Sequence, residues 1–437
     1  MARTRRPPGA SGRSRPTPDK TGWRASMSQK LHVIIAGAGI GGLTSALGLA
    51  RAGVRVTVLE RAPFLDEVGA GIQLSPNATR ILREFGALDR LMLCAMTPEA
   101  LRVRRGSNGG QLMRMPLGAL ADARWGAPHI VVHRADLQRV LVEACTQAGV
   151  DLRTDVDVLG FANLPEGVQI GARELGAHVR FEGDLLIAAD GLRSAMRERL
   201  GLGLADRPIY SGRTAWRALI PGPLAPPEAL RLETNLWLGS RAHMVHYPLR
   251  AGDLVNVVAI IEDPWRDEDN SDPWRSGETD PRALLAATSG WCRQAREIVS
   301  AAPAWRRWPL FERPPAVRWS LDGRVALLGD SAHPILPFLA QGSALAIEDS
   351  EALVRLLDAH GRDVPAALGA YEAERMPRTA DIAIASRRQG AIYHMSGPLA
   401  FARDLVMGRL GIEAMMGRMD WIYGYAQGRG GRRRLLP

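Results

Sequence analysis

The stretch Leu31–Arg61, LHVIIAGAGIGGLTSALGLARAGVRVTVLER, decides the fold. Residues 31–36 form a continuous apolar run, typical of a strand buried on both faces of a parallel sheet. A GxGxxG turn follows, then a helical apolar pattern over residues 43–52, and then a second apolar strand over 54–59 that ends at Glu60. This order predicts a dinucleotide-binding βαβ unit.

Each part of this unit has a physical role in binding a dinucleotide. The glycines make a tight turn and let the backbone approach pyrophosphate, while the helix N-terminus supplies N–H donors and a partial positive charge. The carboxylate after the second strand can accept hydrogen bonds from ribose hydroxyls, which suits both NAD and FAD. The residues predicted to bind the dinucleotide here are Gly37, Gly39, Ile40, Gly41, Gly42, Glu60 and Arg61.

The bulk composition is that of an ordinary globular protein, with 437 residues, 46% of them hydrophobic and 23% charged. Its net charge of +10 comes from the ends, because residues 1–26 carry +6 and residues 429–437 carry +4. The charge therefore indicates basic tails and not a nucleic-acid-binding fold. We expect residues 1–26 to be a disordered extension, and we favour Met27 as the true start over a transit peptide.

The remaining bulk features concern compartment and chemistry. No uninterrupted apolar segment reaches the roughly 20 residues that span a bilayer, so no membrane span is predicted. Cys94, Cys145 and Cys292 are odd in number and far apart, which suits a reducing cytoplasm and has no metal or redox spacing. No cluster of His, Asp or Glu has metal-ligand spacing, and no GxSxG elbow is present.

Two further glycine-acid turns follow apolar strands downstream. The segment GDLLIAADGLRSAMRERL places Asp190-Gly191 after a strand at 185–189, and GRVALLGDSAHP places Gly329-Asp330 after a strand at 325–328. Either turn alone would be an ordinary surface turn, since Asp and Gly favour turns. A dehydrogenase that binds only NAD needs neither of them, so their combination with GxGxxG favours FAD.

The three turns together resemble those of the single-component FAD-dependent aromatic hydroxylases, the salicylate and 3-hydroxybenzoate hydroxylase group, over about residues 30–390. VGAGIQLSPNA (68–78) is similar to the family segment that passes the isoalloxazine ring, and HRADLQ (133–138) to the one whose arginine reaches FAD. The resemblance implies FAD contacts, beside those of the first turn, from Gly71, Ile72, Arg134, Asp190 and Asp330.

The chemistry of these side chains agrees with that assignment. A carboxylate such as Asp330 only accepts hydrogen bonds, which suits ribityl hydroxyls, and the guanidinium of Arg134 suits phosphate oxygens. Gly342, Ser343 and Ala344 open a helix, so their N–H groups can stabilise the negative charge of a reduced flavin.

A segment rich in strand-like patterns, from about residue 201 to 313, predicts a β-sheet that covers the flavin, with the catalytic pocket between the two domains. In HMVHYP (243–248), His243 and Tyr247 are four residues apart and face the same side of a strand, while His246 faces the other. Some related hydroxylases place a His and a Tyr with this spacing beside the substrate hydroxyl. We therefore predict that His243 accepts the phenol proton and that Tyr247 orients the ring.

Other residues are predicted to line the substrate pocket or to act on it less directly. Gln73 is expected to face the substrate from the flavin side, and Pro337 to border the ring within a rigid wall at 334–337. Arg213 or Arg217 could bind a carboxylate, although a surface or flavin-side contact is the simpler interpretation of each.

The predicted fold class is α/β, a discontinuous Rossmann-like FAD-binding domain with an inserted β-sheet substrate domain and C-terminal helices. Its boundaries are expected at 27–200 and 314–390 for the FAD-binding domain, 201–313 for the substrate domain, and 391–437 for a helical segment and basic tail.

The predicted function is that of an FAD-dependent monooxygenase. The resemblance implies that NADH or NADPH reduces the flavin and that a C4a-hydroperoxyflavin, formed with O₂, hydroxylates a small phenolic acid of the salicylate, 3-hydroxybenzoate or 6-hydroxynicotinate class. We expect a cytoplasmic monomer or homodimer without a nucleic-acid partner. The alternatives are an oxygenase of the same fold that forms an epoxide or modifies an antibiotic, an NAD-linked dehydrogenase without flavin, and a binder of anionic surfaces through the basic tails.

Overall fold

The structure is a computed structural model and describes residues 31–65, 70–201, 203–264 and 279–425. The predicted basic tails at 1–26 and 429–437 lie outside these ranges. In the part of the chain so described, no helix is both long enough and apolar enough to cross a membrane.

Strands and helices alternate in the first half of the chain, strands dominate the middle, and helices dominate the end. The strands are β1 (His32–Ala36), β2 (Arg55–Leu59), β3 (Gly71–Leu74), β4 (Ala100–Arg105), β5 (Gln111–Pro116), β6 (Ile130–His133), β7 (Asp151–Arg153), β8 (Val156–Leu164), β9 (Gly167–Glu174), β10 (Ala177–Gly183), β11 (Leu185–Ala188), β12 (Ile209–Pro221), β13 (Thr234–Gly239), β14 (Ala242–Leu249), β15 (Leu254–Glu262), β16 (Arg306–Glu312), β17 (Ser320–Leu321) and β18 (Val325–Leu327). The helices are α1 (Ile40–Arg51), α2 (Pro76–Glu84), α3 (Leu88–Leu91), α4 (Gly118–Trp125), α5 (Arg134–Gln147), α6 (Ala195–Glu198), α7 (Arg282–Thr288), α8 (Arg293–Ala301), α9 (Gly342–His360), α10 (Val364–Tyr393), α11 (Gly397–Arg409), α12 (Ile412–Gly417) and α13 (Asp420–Tyr423).

A six-stranded sheet in the order β17-β18-β11-β1-β2-β7 brings the three predicted turns together. The neighbouring strands β18, β11 and β1 run parallel, so their carboxyl ends lie at the same edge of the sheet. The glycine turn, the Asp190-Gly191 turn and the Gly329-Asp330 turn follow these ends in that sheet. This arrangement is the crevice at which open α/β sheets bind ligands, and the predicted fold class is confirmed.

Helices α1 and α9 pack tightly on this sheet because small residues line their contact. A Cβ atom built on Gly41 would lie 3.1 Å from the Ala346 Cβ atom, and the Ser45 and Ser350 hydroxyls are 2.9 Å apart. The close approach fixes the start of α9 beside the glycine turn.

The second large sheet has seven strands in the order β16-β12-β15-β14-β13-β4-β5. Five of its strands come from the predicted substrate segment, 201–313. The other two, β4 and β5, come from residues 100–116, which the sequence-based boundaries assigned to the FAD-binding domain. The structure thus differs from the predicted division in these two strands, because β4 adds in parallel to β13, a pairing between distant parts of the chain.

The two faces of the seven-stranded sheet pack against different partners. The back face buries Trp216, Trp237 and Met244 against helix α8 and its neighbours. The opposite face, hereafter the site face, packs through Tyr247 against β6 and through Ile260 against a short turn that contains Phe338. Strand alternation therefore separates a structural core from a face turned toward the FAD-binding domain. A smaller three-stranded sheet, β10-β9-β8, accompanies the first sheet.

Candidate active site

The glycine turn after β1 leaves no room for side chains on its protein side. Gly37 has a φ of +106°, and a Cβ atom there would lie 2.5 Å from the Ala189 carbonyl oxygen. A Cβ atom on Gly42 would lie 2.0 Å from the Gly37 oxygen, whereas one on Gly39 would have no atom of the described residues within 4 Å. The turn is thus closed toward the protein and open at Gly39, which fits a bound phosphate group.

Glu60 is fixed beside this turn by two backbone donors. Its carboxylate accepts hydrogen bonds from the Ala38 N–H at 2.7 Å and from the Ala62 N–H at 2.9 Å. A carboxylate has further lone pairs, so it can still accept from a ribose hydroxyl. Arg61, the next residue, is exposed, and its predicted contact with the cofactor stays a prediction.

The Asp190-Gly191 turn and the Gly329-Asp330 turn are joined by Arg197, a buried residue that the sequence reading missed. Its guanidinium pairs with Asp206 at 2.6 Å and donates to the Ser331 and Ala332 carbonyl oxygens. Asp190 closes the start of α6, since one carboxylate oxygen accepts from the Met196 N–H at 3.4 Å. Its other oxygen is buried and makes no hydrogen bond within the described ranges.

Asp330 is exposed to solvent. The turn that carries it is held in place by Asp349 of helix α9. The Asp349 carboxylate accepts from the Gly329 N–H at 3.1 Å and from Arg375 at 2.8 Å, and it lies 2.5 Å from His333 Nε2. Burial alone would raise the pKa of Asp349, but the charges of His333 and Arg375 lower it below its ordinary value. The Asp349 carboxylate therefore stays ionised, and its hydrogen bond to Gly329 fixes the turn.

Arg134 begins helix α5 close to this turn. Desolvation raises the pKa of Asp330 and the charge of Arg134 opposes that shift, while burial and the same charge lower the pKa of Arg217 on the site face. Asp330 and Arg134, which the resemblance assigns to the ribityl and pyrophosphate region, therefore interact electrostatically, and their predicted contacts with the cofactor stay a prediction.

The segment predicted to pass the flavin ring is attached to the site face. The Gly71 N–H donates to the Asn256 side-chain oxygen at 2.6 Å, and a Cβ atom on Gly71 would lie 2.7 Å from the Tyr247 ring. The Asn256 side-chain nitrogen is buried and makes no hydrogen bond to any described residue. Gln73 lies on the same side of β3 as Gly71, because Ile72 and Leu74 pack into the opposite core.

The start of helix α9 is held at a defined position relative to this segment. Gln341 is buried, donates to the Ser75 hydroxyl at 2.9 Å and accepts from the Asn77 side chain at 3.0 Å. The N–H groups of Gly342 and Ser343 fall in the first turn, where no intrahelical acceptor exists. An anion placed there would be stabilised by these donors and by the helix dipole.

His243 is buried on the site face, between aromatic rings. Its ring centroid lies 5.6 Å from that of Phe338 and 5.1 Å from that of Tyr393. Tyr247 lies on the same face, whereas His246 stacks on Trp237 of the back face. Pro337 begins the short turn that presents Phe338 to His243, so it borders this site indirectly.

A second histidine, His394, completes the site, and the sequence reading missed it. His243 Nδ1 lies 2.9 Å from His394 Nε2, although the two residues are 151 positions apart. Burial, His394 and Arg213 together lower the pKa of His243 well below its ordinary value, and burial lowers the pKa of His394 to about 3. Both imidazoles are therefore neutral at physiological pH.

Two arginines flank His243 along β12. Arg213 lies over the Phe338 ring, with 5.2 Å between its Cζ atom and the ring centroid, and Arg217 lies over the Trp308 ring at 5.3 Å. Neither forms an ion pair with a carboxylate in the described part of the chain. Burial and the charge of Arg134 lower the pKa of Arg217 to about 10, so it remains a cation at neutral pH. The site face thus offers two unneutralised positive charges.

These features fit an FAD cofactor. In the part of the chain that the structure describes, the glycine cradle is open at Gly39, and Asp190 and Asn256 each have a buried polar atom without a partner. Arg217 adds a positive charge that no described carboxylate neutralises. Among the described residues no group of three or more His, Cys, Asp or Glu side chains is arranged to hold a metal ion.

Comparison with known proteins agrees with this geometry. Residues 30–386 match the family described as FAD binding domain. The chain is 34% identical over 400 residues to 3-hydroxybenzoate 6-hydroxylase of Polaromonas naphthalenivorans, covering 91% of this chain and 97% of that protein. It is 36% identical over 399 residues to a 3-amino-4-hydroxybenzoate 2-monooxygenase of Streptomyces platensis, covering 90% and 96%.

A solved structure is similar over nearly the same length. Klebsiella pneumoniae HpxO complexed with FAD and uric acid superimposes with a TM-score of 0.78 and 27% identity, covering 90% of this chain and 97% of that one. The chain belongs to the FAD-binding-domain family. The predictions of an FAD cofactor and of an FAD-dependent aromatic monooxygenase are confirmed.

Proposed function

We propose that this enzyme hydroxylates a small aromatic acid that carries both a ring hydroxyl group and a carboxylate. Two relatives are named for such substrates, 3-hydroxybenzoate and 3-amino-4-hydroxybenzoate. The single observation that carries the proposal is the pairing, on one buried face, of a neutral His243 with an Arg213 that has no carboxylate partner among the described residues.

His243 is suited to accept the proton of a ring hydroxyl. Its Nδ1 is taken by His394, and its Nε2 makes no hydrogen bond in the described ranges. Loss of the hydroxyl proton turns the ring into a phenolate and makes its ortho and para carbons nucleophilic.

Arg213 is assigned to the substrate carboxylate and Arg217 to the flavin side. The reason is their neighbours: Arg213 lies beside His243 and His394, whereas Arg217 lies beside Arg134 and Tyr247. A guanidinium group can bind a carboxylate through two parallel hydrogen bonds, which would orient the ring as well as hold it. Burial raises the pKa of Tyr247, so its hydroxyl stays protonated and can donate to the ring oxygen.

The residues that would hold FAD are those of the three turns, the Gly71 segment and the start of α9. When bound, FAD supplies the redox chemistry that activates O₂, with NADH or NADPH as the proposed reductant. The chain's own residues bind the ring, hold it against Phe338 and Tyr393, exclude water and remove a proton. The three cysteines are unpaired, which supports a reducing cytoplasm as the compartment.

The test is a substrate panel read by product identity. NADH or NADPH oxidation by the FAD-loaded enzyme should accelerate with hydroxylated benzoates or hydroxynicotinates and should yield a hydroxylated product. His243→Gln should retain FAD but lose roughly 10²-fold or more of coupled hydroxylation. His246→Gln, on the back face of the same strand, is the matched control and should keep coupling. Turnover that no hydroxylated aromatic acid stimulates would refute the substrate class.

A further inference from the structure

The buried imidazole pair continues to the protein surface through a carboxylate. His394 follows the last residue of helix α10, and its Nδ1 lies 3.4 Å from Oε1 of Glu262, at the end of β15. That separation is within ion-pair range, although the geometry is not yet that of a hydrogen bond. Glu262 is 38% exposed, so a small rotation of its side chain can close the contact while it remains in touch with water.

We propose that His243, His394 and Glu262 form a proton relay that carries the substrate's hydroxyl proton from the buried site to solvent. The inference rests on the proposed function, because it needs His243 as the first acceptor. It adds two residues, from α10 and β15, that only the folded chain brings into line.

The proton count closes without a charged intermediate on either ring. The hydroxyl proton binds His243 Nε2, the Nδ1 proton of His243 moves to His394 Nε2, and the Nδ1 proton of His394 moves to Glu262. Each imidazole exchanges one N–H for the other and stays neutral. The substrate becomes a phenolate, and the carboxylic acid at Glu262 then loses its proton to water.

The residues around the two imidazoles favour passage of the proton to Glu262 and disfavour a protonated histidine. Burial keeps both imidazoles neutral, and the charge of Arg213 disfavours an imidazolium at either position. Tyr393 is not a competing base, because burial raises the pKa of its hydroxyl to about 12 and keeps it protonated at neutral pH. Arg241, whose Nε lies 3.7 Å from Glu262, favours the ionised carboxylate at the exit. Glu262 is the one carboxylate in ion-pair range of the two rings within the described residues.

The experiment follows ionisation of the bound phenol in the FAD-loaded, oxidised enzyme. The probe is the phenolic acid that gives the fastest turnover in the panel above, and stopped-flow absorbance records phenolate formation. His394→Gln and Glu262→Gln should each slow this step on the order of tenfold or more while leaving the affinity for benzoate, which has no phenol, unchanged. Added formate should restore the rate in Glu262→Gln. Glu312→Gln, a half-buried carboxylate of the same sheet that pairs with Arg387 away from the two histidines, should behave as the parent enzyme.

The outcomes separate the relay from the function on which it rests. One outcome is that His243→Gln abolishes phenol ionisation while His394→Gln and Glu262→Gln leave its rate at that of the parent enzyme. That result would refute the relay and leave the role of His243 standing. If His243→Gln also ionises the phenol normally, or no phenol gives turnover, the relay and the proton-acceptor role fail together. Loss of benzoate affinity in the His394 or Glu262 variant would mean that these residues only support the pocket, and it would also overturn the relay.

Discussion

The side chain of Asn256, in the middle of the seven-stranded sheet, accepts a hydrogen bond from the backbone N–H of Gly71 at 2.6 Å. Asn256 is fully buried, and the two residues are 185 positions apart. The contact attaches the predicted flavin-side strand to the floor of the predicted substrate site. This hydrogen bond is therefore one of the contacts that hold the predicted cofactor and substrate positions relative to each other.

Asn256→Leu should weaken FAD binding and lower the free energy of unfolding by about 1–3 kcal/mol, because it leaves a buried N–H without an acceptor. Isothermal titration of the apoprotein with FAD and urea unfolding measure the two effects. Asn235→Leu is the control, since Asn235 is buried in the same sheet but accepts from Arg104 on the other face. It should cost stability without changing FAD affinity, and equal FAD affinities in the two variants would contradict the assignment.

Two glycines of the first turn should respond differently to alanine. In Gly42→Ala the new Cβ atom would lie 2.0 Å from a backbone oxygen, so the fold itself should lose stability. In Gly39→Ala the Cβ atom has no atom of the structurally described ranges within 4 Å, so we expect normal folding and weak FAD binding. In Gly369→Ala, at an uncrowded position of helix α10, the free energy of unfolding should rise by roughly 0.5–1 kcal/mol and FAD affinity should not change. Thermal unfolding with and without FAD distinguishes the three variants.

Arg213→Met should raise KM for a phenolic acid roughly 10- to 100-fold, because a charge-assisted contact contributes about 1.5–3 kcal/mol. The KM for the methyl ester of the same acid should rise much less, since the ester carries no charge for Arg213 to bind. Steady-state kinetics with the acid and the ester measure the difference. Arg217→Met is the comparison, and we expect it to change FAD binding more than KM; the reverse result would exchange the two roles.

Buried histidines should make the protein sensitive to mild acid. Burial and Arg104 lower the pKa of His246 from 6.5 to about 3, so the unfolded chain binds its proton first as the pH falls. The contribution of His246 to the free energy of unfolding is fully present above pH 6.5. Below pH 6.5 it falls by about 1.4 kcal/mol per pH unit. His129, with a pKa of about 4, acts in the same direction, whereas Glu351, raised to about 7 by burial, acts in the opposite one.

The His246 contribution can be isolated by difference. We expect the free energy of unfolding of His246→Leu, measured with urea, to rise relative to that of the parent protein by about 2 kcal/mol between pH 7 and pH 5. The reason is that leucine has no proton to bind. His178→Leu, at an exposed position of β10, should show no such change with pH. A constant difference between His246→Leu and the parent across this range would contradict the assigned shift.

Much of the FAD side of the site was predictable because each element is a short, continuous piece of chain. An apolar strand followed by Gly37 or by Asp190-Gly191 is a local pattern, and the structure places both turns at strand ends on one edge. The sides of β14 were predictable for the same reason, since the alternation that separates His243 from His246 is a property of any strand. The exact FAD contacts and the role of Tyr247 remain predictions.

The sequence by itself determined the class of fold, the cofactor type and the strand that carries His243, because backbone periodicity and turn chemistry act over a few residues. Only the tertiary structure decided which strands share a sheet, and so moved β4 and β5 into the second one. It alone brought His394 to His243 and Arg197 to the Ser331 carbonyl, partners 151 and 134 positions apart. Such contacts depend on how helices and sheets pack, and no local pattern of residues specifies them.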